Sequence, residues 1–282
     1  MISVVFVNSE LGVPYKLVKV VTINILFEMD LWERRSQLLV EGLKALRADL
    51  IGLQEVNIQE NTGFWLAEQL EMPYVYLVPY QERAYQIGPE YGIAILSRYP
   101  FIQQAQLDLQ SQGRFAQYVR VEIGDRPLIF CNGHYYWQPG STPARMQQLQ
   151  LLVNWLSQLP PHIPVVAVGD FNATPETPEI AFMQEQFTSA YAAYHGYEPE
   201  YTCPTPLQKP NRSWWRKFGL SLINLYTNRT LKPWRGTLDY IFINNQLSLR
   251  NCQLILTEAA PENPHIYPSD HFGIAADVEW NS

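Results

Sequence analysis

The sequence has few cysteines and no apolar run of the roughly 18 residues that a membrane-spanning helix needs. Its three cysteines, Cys131, Cys203 and Cys252, are odd in number and widely spaced. They predict neither a disulfide framework nor a CxxC metal site, which favours a reducing compartment. The N-terminal region has no basic stretch before its short apolar run, so it does not resemble a signal peptide. Together these absences predict a soluble, cytoplasmic protein with no transmembrane segment.

Charge is also scarce. Charged residues make up 17% of the chain, and the net charge is −7. This balance excludes a protein whose overall positive field attracts nucleic acid, although it is compatible with a local basic patch. What the chain has instead is a hydrophobic share of 47%, which is enough for a sizeable core. We therefore predict a single domain over residues 1–282.

One segment departs from this acidic composition, because residues 201–238 contain no Asp or Glu. Its basic residues are Lys209, Arg212, Arg216, Lys217, Arg229, Lys232 and Arg235, and they alternate with aromatic residues such as Trp214, Trp215 and Trp234. We interpret this segment as an insertion at about 203–236 in the domain. Basic residues among aromatic ones suit single-stranded nucleic acid or an anionic lipid surface. They are equally compatible with a solvated loop whose aromatic rings pack on the protein.

Hydrophobic patterns predict the order of strands and helices. Residues 17–26 are rich in Val and Ile and predict a buried strand, whereas residues 31–50 place leucines at helical spacing. Residues 115–123 and 126–136 are two strand-like runs joined by a short turn, which predicts a hairpin. Residues 142–159 predict a long helix with proline near its start. This mixture of βα units and hairpins predicts an α+β fold with two packed sheets flanked by helices.

Polar residues recur at or just after the apolar strands. They are Asn24, Glu55, His134, Asp170, Asn172, Asp239, Asp270 and His271. Because burying a polar group without a partner is costly, a whole set at strand ends indicates a shared site. Carboxylate and carboxamide oxygens are hard ligands that suit Mg²⁺ or Mn²⁺, and the two imidazoles remain for proton transfer. These residue types together fit the hydrolysis of a phosphoester.

Six short motifs occur in a fixed order along the chain: TINIL, LQEV, YGIAILSR, GDFNATPET, GTLDYIFIN and SDHFGI. In this order they resemble the endonuclease/exonuclease/phosphatase superfamily, which includes deoxyribonuclease I, and the match covers residues 18–278. The resemblance implies a four-layer α/β/β/α sandwich of two packed mixed β-sheets flanked by helices. It also implies a Mg²⁺-dependent enzyme, with Mn²⁺ as the alternative ion, that hydrolyses a phosphoester substrate.

The resemblance implies three kinds of site residue. The metal-site positions are Glu55, Asn24 and Asp270, the catalytic positions are Asp170, His271, Asp239, His134 and Asn172, and the substrate-binding position is Arg114. Asp170 matches the aspartate that orients or activates water, and His271 matches a histidine hydrogen-bonded to Asp239. Such a pair makes physical sense, because the carboxylate fixes the imidazole tautomer and stabilises the charged ring.

His134, in the run CNGHYYW, favours the branch of the superfamily that carries this histidine over the exonuclease III-like branch. The resemblance to deoxyribonuclease I makes Glu90 the candidate partner of His134. Other conspicuous residues have ordinary interpretations: His195 is expected on a surface loop, and Trp137 and Trp155 are expected to pack against the protein.

Three functions are compatible with the sequence. The first is a metal-dependent phosphodiesterase, most simply a nuclease. The second is the same chemistry on a lipid headgroup or a phosphorylated metabolite, because an acidic protein is poorly suited to a long duplex. The third is a binding module that has kept the fold without catalysis. The third function predicts a lost catalytic position, and none is lost among the residues named above. The sequence makes no prediction of oligomeric state.

Overall fold

The computed structural model describes residues 17–81, 90–208 and 234–281, which form two six-stranded sheets and five helices. The strands of the first sheet are β1 (Val18–Asn24), β2 (Leu50–Asn57), β3 (Tyr74–Pro79), β4 (Tyr91–Ser97), β11 (Leu247–Ile255) and β12 (Gly273–Trp280). Those of the second sheet are β5 (Gln103–Asp108), β6 (Phe115–Ile123), β7 (Arg126–His134), β8 (Val165–Asp170), β9 (Thr188–Ser189) and β10 (Asp239–Ile243). The helices are α1 (Trp32–Leu46), α2 (Thr62–Gln69), α3 (Pro143–Ser157), α4 (Pro178–Gln186) and α5 (Ala190–His195).

Both sheets are mixed. The first has the strand order β11-β12-β1-β2-β4-β3, and the second has the order β5-β6-β7-β8-β10-β9. The pairs β1–β2 and β7–β8 are parallel, whereas β12 and β10 run antiparallel to β1 and β8. The C-terminal ends of β1 and β2, and those of β7 and β8, therefore lie side by side. This arrangement positions the polar residues at the strand ends.

The core consists of separate apolar layers. Between the sheets, residues such as Val20 and Leu50 pack with Val119 and Val166. A second cluster lies between the first sheet and helices α1 and α2, and a third lies between the second sheet and helices α3 and α4. Four layers of secondary structure are thus held together by burial of apolar surface. The predicted α/β/β/α sandwich is confirmed.

A buried polar contact joins the two sheets beneath the strand ends. The Nε2 of Gln54 donates to the Oδ1 of Asn132 at 2.7 Å. The Nδ2 of Asn132 in turn donates to the carbonyls of Leu53 and Ala94, at 3.0 Å each. Because buried amides are costly unless they are paired, this network fixes the distance and register between the sheets.

Most of the predicted elements are present. Strands β6 and β7 form the predicted hairpin, and α3 begins at Pro143 with the hydroxyl of Thr142 accepting from the backbone N–H of Arg145 at 3.2 Å. The strand predicted at CQLILTEA, residues 252–259, is displaced along the chain, because β11 begins at Leu247 and ends at Ile255. Within the described residues, no helix has the length and apolar character that a bilayer crossing requires.

Two expectations about single residues were wrong. His195 is not on a loop: it ends helix α5, is half-buried, and its Nε2 lies 2.9 Å from the carbonyl oxygen of Cys252. Trp137 is 56% exposed rather than packed, because it lies on the irregular segment that follows β7. The expectation for Trp155 is confirmed, since its ring packs on Tyr118 with a centroid distance of 4.8 Å. Most of the basic aromatic insertion, residues 209–233, lies outside the described residues.

Candidate active site

The predicted site residues converge because the strands that carry them end together. Within the second sheet, Asp170 faces His134 on one side and Asp239 on the other, in register. Asn24 ends β1 next to Gln54, and Glu55 follows at once. Neighbouring strand ends from both sheets thus form one polar cluster. The predicted convergence at one edge of the sandwich is observed.

Glu55 is aimed into this cluster by a β-bulge. The register between β2 and β4 shifts between Gln54 and Val56, and Glu55 has a φ of 56°. A bulge of this kind redirects a side chain and is found near functional sites. The Oε1 of Glu55 accepts from the Nδ2 of Asn24 at 3.2 Å, and its Oε2 accepts from the backbone N–H of Phe27 at 3.3 Å.

Asp170 lies at the centre of the site. Its Oδ2 accepts from the Nδ2 of Asn24 at 3.1 Å and lies 3.5 Å from the Nε2 of His134 and 3.8 Å from the Nε2 of His271. Burial raises the pKa of Asp170 to about 7, with Asp239 adding to the rise and His271 and Asn24 opposing it. A carboxyl group with this pKa can take up a proton near neutral pH.

His271 and Asp239 form the predicted pair. The Nδ1 of His271 lies 2.9 Å from the Oδ2 of Asp239. Burial alone would lower the pKa of His271, but Asp239 and, to a lesser degree, Asp170 raise it well above the ordinary value. The ring is therefore held as an imidazolium with its Nε2 directed toward Asp170.

Thr202 completes this pair and was missed in the sequence. Its hydroxyl donates to the Oδ2 of Asp239 at 2.6 Å and accepts from the backbone N–H groups of Leu238 and Asp239 at 2.9 Å and 3.3 Å. These contacts fix the direction in which the hydroxyl donates, so Thr202 orients the carboxylate that orients His271. A lone threonine in the run YTCP offers no signal by itself; only its proximity to Asp239 in the fold reveals the role.

His134 is in the opposite charge state. Burial, together with the positive charges of Arg114 and His271, lowers the pKa of His134 well below its ordinary value. The predicted pairing with Glu90 is absent: among the described residues the Nδ1 of His134 has no hydrogen-bond partner, and Glu90 is exposed. The ring of Tyr80 lies against His134 instead, with a centroid distance of 5.9 Å.

Arg114 is buried beside this histidine. Its guanidinium lies 4.9 Å from the ring centroid of Tyr80 and 5.7 Å from that of Tyr91, and only 4% of the residue is exposed. Its Nη1 has no hydrogen-bond partner among the described residues. A buried, charged donor without a partner is costly unless an anion completes it. The position agrees with the predicted contact to a phosphate, which stays a prediction.

Asn172 lies at the same rim. Its backbone N–H donates to the Oδ1 of Asp170 at 2.9 Å, and its Nδ2 donates to the carbonyl of Tyr135 at 3.1 Å. Its φ of 51° turns the chain sharply after β8. These bonds fix the amide within the site, and the predicted contact with a phosphate oxygen stays a prediction.

Two groups of residues offer ligands for a cation. The first is the predicted set at Glu55, where burial and the nearby carboxylate of Asp270 raise the pKa of Glu55. The second is Asp170, Asp239 and His271, whose ligand atoms lie within 4.8 Å of one another. The second group is already held by the hydrogen bond between His271 and Asp239. The first group offers carboxylate oxygens without an imidazole, which favours it for a hard divalent cation.

Asn24 differs in detail from a simple ligand. Its Oδ1 accepts from the backbone N–H of Leu26 at 3.0 Å, while its Nδ2 joins the carboxylates of Glu55 and Asp170. In this orientation Asn24 positions the two carboxylates relative to each other. Its own contact with a cation stays a prediction.

A two-sheet sandwich with a carboxylate–histidine cluster at the strand ends is the architecture of the deoxyribonuclease I-like class. Residues 21–271 match the family described as "Endonuclease/Exonuclease/phosphatase family". The chain therefore belongs to the endonuclease/exonuclease/phosphatase family. The predicted family membership is confirmed.

Relatives and solved structures agree with this assignment. The chain is 27% identical over 200 residues to 2',5'-phosphodiesterase 12 of Bos taurus, and the match spans 66% of this chain but only 31% of that protein. It superposes on the structure of D. rerio TDP2 complexed with a single-strand DNA product with a TM-score of 0.72, at 17% identity. The match covers 94% of this chain and 99% of the chain in that structure. The superposition on the human Nocturnin catalytic domain with bound sulfate has a TM-score of 0.71, at 22% identity, and covers 94% of each chain.

Proposed function

We propose that this protein is a divalent-metal-dependent phosphodiesterase that acts on nucleic acid or a nucleotide, with Mg²⁺ as the ion and Mn²⁺ as the alternative. One observation carries the proposal. The Oδ2 of Asp170 lies within 3.8 Å of Asn24, His134 and His271, beside a separate carboxylate at Glu55. A general base, an imidazolium donor and a cation site thus surround one small space.

The charge states of the residues support distinct roles. A cation held by Glu55 and Asp270 would supply positive charge to the phosphate oxygens when bound. With its pKa near 7, Asp170 accepts a proton from the attacking water at Oδ2. The imidazolium of His271 donates its Nε2 proton to the departing oxygen as the bond to phosphorus breaks. His134 stays neutral and donates a hydrogen bond to a phosphate oxygen.

The substrate class is supported by the relatives and by the insertion. The relative 2',5'-phosphodiesterase 12 is named for its action on 2',5'-phosphodiester bonds, and the TDP2 structure contains a single-strand DNA product. Basic and aromatic residues in the segment 203–236 are the residue types that bind single strands. The same residue types also suit an anionic lipid surface, so the test below includes a lipid and an inositol phosphate. No predicted catalytic position is lost from the sequence, which favours an enzyme over a module that only binds.

The test is hydrolysis across a panel of substrates. Single-stranded RNA and DNA, a 2',5'-linked oligoadenylate, duplex DNA, sphingomyelin and an inositol phosphate are each incubated with Mg²⁺, Mn²⁺ or EDTA. We expect hydrolysis of single-stranded RNA, single-stranded DNA or the 2',5'-linked oligoadenylate that stops in EDTA and returns when Mg²⁺ is added. Hydrolysis of the lipid or the inositol phosphate alone would contradict the proposed substrate class, and metal-independent hydrolysis would contradict the proposed mechanism.

A further inference from the structure

Arg35 is a fully buried arginine on the first turns of helix α1, and its side chain points at the segment that follows β1. Its Nη2 donates to the carbonyls of Ile25 and Leu26 at 2.7 Å and 2.9 Å. Its Nη1 donates to the carbonyls of Glu28 and Asp30 at 2.8 Å and 3.3 Å. Four hydrogen bonds from the two Nη atoms of one guanidinium therefore fix the backbone conformation of residues 25–30.

The segment held in this way supplies two donors to the active site. The backbone N–H of Leu26 donates to the Oδ1 of Asn24 at 3.0 Å, and that of Phe27 donates to the Oε2 of Glu55 at 3.3 Å. Arg35 binds the carbonyls of Ile25 and Leu26, and the backbone N–H of Leu26 lies between these two carbonyls along the chain. The position of the guanidinium thus determines where both donors point.

Arg145 is the counterpart in the other helical layer and provides a comparison. It is also fully buried, and its Nη1 donates to the carbonyls of Tyr136 and Gln138, in the segment that follows β7. Its charge is balanced by the buried carboxylate of Glu179, at 3.5 Å. Within the described chain Arg35 has no such ion pair, and its charge acts instead on Asp270, Glu28 and Glu55.

We propose that Arg35 is a positioning residue for the metal-binding end of the site, because it fixes the segment that orients Asn24 and Glu55. The inference rests on the proposed function, since it takes Glu55 as a metal ligand. The proposed role differs from a simpler one in which Arg35 acts only as a charge. A positive charge beside a cation opposes metal binding, so an arginine that acted only through its charge would weaken metal affinity.

The two roles predict opposite results for metal affinity. Arg35→Lys keeps the charge, but a single ammonium with three N–H groups cannot hold four carbonyls. Arg35→Met removes both the charge and the hydrogen bonds. If Arg35 positions the segment, both variants weaken Mn²⁺ binding by about 10- to 100-fold, as measured by isothermal titration calorimetry. If it acts only as a charge, the Lys variant matches the wild type and the Met variant binds Mn²⁺ more tightly.

The matched control is Arg145→Lys, which removes the equivalent hydrogen bonds from a buried guanidinium to backbone carbonyls away from Glu55. We expect its melting temperature to fall as it does for Arg35→Lys, with Mn²⁺ affinity within about twofold of the wild type. Wild-type affinity in Arg35→Lys would overturn the inference and leave the proposed function standing. An equal loss of affinity in Arg145→Lys would overturn it as well. A wild-type protein that binds no Mn²⁺ would overturn the proposed function and this inference with it.

Discussion

The two histidines of the site are held in opposite charge states by their neighbours. His271 bonds to the carboxylate of Asp239, which raises its pKa, whereas His134 lies beside the guanidinium of Arg114 in a buried position, which lowers its pKa. A pair of titratable groups whose surroundings separate their pKa values indicates separate acid–base roles. In this site the charged ring is suited to donate a proton and the neutral ring to donate a hydrogen bond.

Asp239→Asn tests the charge state of His271. Because the carboxylate raises the pKa of His271, activity should fall on the alkaline side as the imidazolium deprotonates. The amide cannot hold the positive charge, so this fall should move to lower pH by about one to three units. We also expect kcat to drop by about 10²- to 10⁴-fold.

The measurement is a pH–rate profile at saturating metal, with Asp277→Asn as the control because Asp277 is paired with Lys19 outside the site. An alkaline limb that stays in place in Asp239→Asn would contradict the assignment of His271 as the acid.

Ionisation of the buried Asp170 should destabilise the folded protein as the pH rises. Its pKa is raised from 3.8 to about 7, so the folded state binds more protons than the unfolded state between these values. The stabilisation is complete below the unfolded pKa and is lost as the pH rises through about 7. The melting temperature of Asp170→Asn relative to wild type should therefore increase from pH 5 to pH 8 in EDTA. A constant difference across this range would contradict the raised pKa.

The predicted site residues could be recognised from sequence because each lies at or near one end of an apolar strand that needs no polar residue. Thr202 and Arg35 could not be recognised in this way. Thr202 acts on Asp239 across 37 positions of the chain, and Arg35 lies on an amphipathic helix where an arginine usually faces solvent. The prediction of Glu90 as the partner of His134 was wrong. The neighbours of His134 include Tyr80 and Arg114, and the alternation of residues along a strand does not reveal such contacts between distant segments.

At the scale of elements, the end of β8 depends on a close approach between two strands. Gly169 has a φ of 150°, and a Cβ placed on it would lie 2.0 Å from the carbonyl oxygen of Gly133 in β7. No side chain fits there without moving one strand away from the other. The same contact places Asp170 next to His134.

Gly169→Ala should therefore lower the free energy of unfolding by about 3 kcal/mol or more, because the new methyl group meets backbone that cannot move aside. Gly124→Ala is the control: Gly124 also has a positive φ, of 58°, but a methyl group added there would have no atom within 4 Å. We expect this control to cost about 1 kcal/mol. Urea denaturation measures both variants, and equal losses would contradict the steric explanation.

Long elements with regular patterns were predictable, and short ones were not. Strands β6 and β7 and helix α3 are long enough for their hydrophobic residues to repeat several times at the spacing of a strand or a helix. Helix α5 has six residues and β9 has two, so neither contains enough of a pattern to stand out. The bulge at Glu55 was equally invisible, because a one-residue register shift appears only when β2 pairs with β4.

At the scale of the whole molecule, the charge is divided unevenly. The chain has a net charge of −7, yet residues 201–238 contain basic residues and no acidic ones. The described stems of this segment reach the catalytic pair, because Thr202 bonds to Asp239 and the backbone of Cys203 pairs with that of Gly236. The described ends of the segment therefore lie next to the pair formed by His271 and Asp239.

Salt dependence tests whether the segment binds a single strand. The affinity for a single-stranded oligonucleotide should fall as salt rises, because each phosphate contact releases counterions. Replacing Arg216 and Lys217 by Gln should flatten the slope of log K against log salt by up to about 0.7 for each lost contact. The same change at the exposed Lys44 and Arg47 near the end of α1 should leave the slope unchanged. Fluorescence anisotropy measures both, and equal slopes in the two double variants would contradict a role for the segment.

In the proposed mechanism, Asp170 activates water in a metal-dependent phosphodiesterase. The most direct measurement is hydrolysis of bis-p-nitrophenyl phosphate with Mg²⁺ or Mn²⁺ by wild type, Asp170→Asn and the control Asp108→Asn, a carboxylate on the edge strand β5. We predict metal-dependent turnover by wild type and Asp108→Asn, with a loss of about 10³-fold or more in Asp170→Asn. Turnover by Asp170→Asn at the wild-type rate would contradict the role of Asp170, and wild-type turnover that persists in EDTA would contradict the metal dependence.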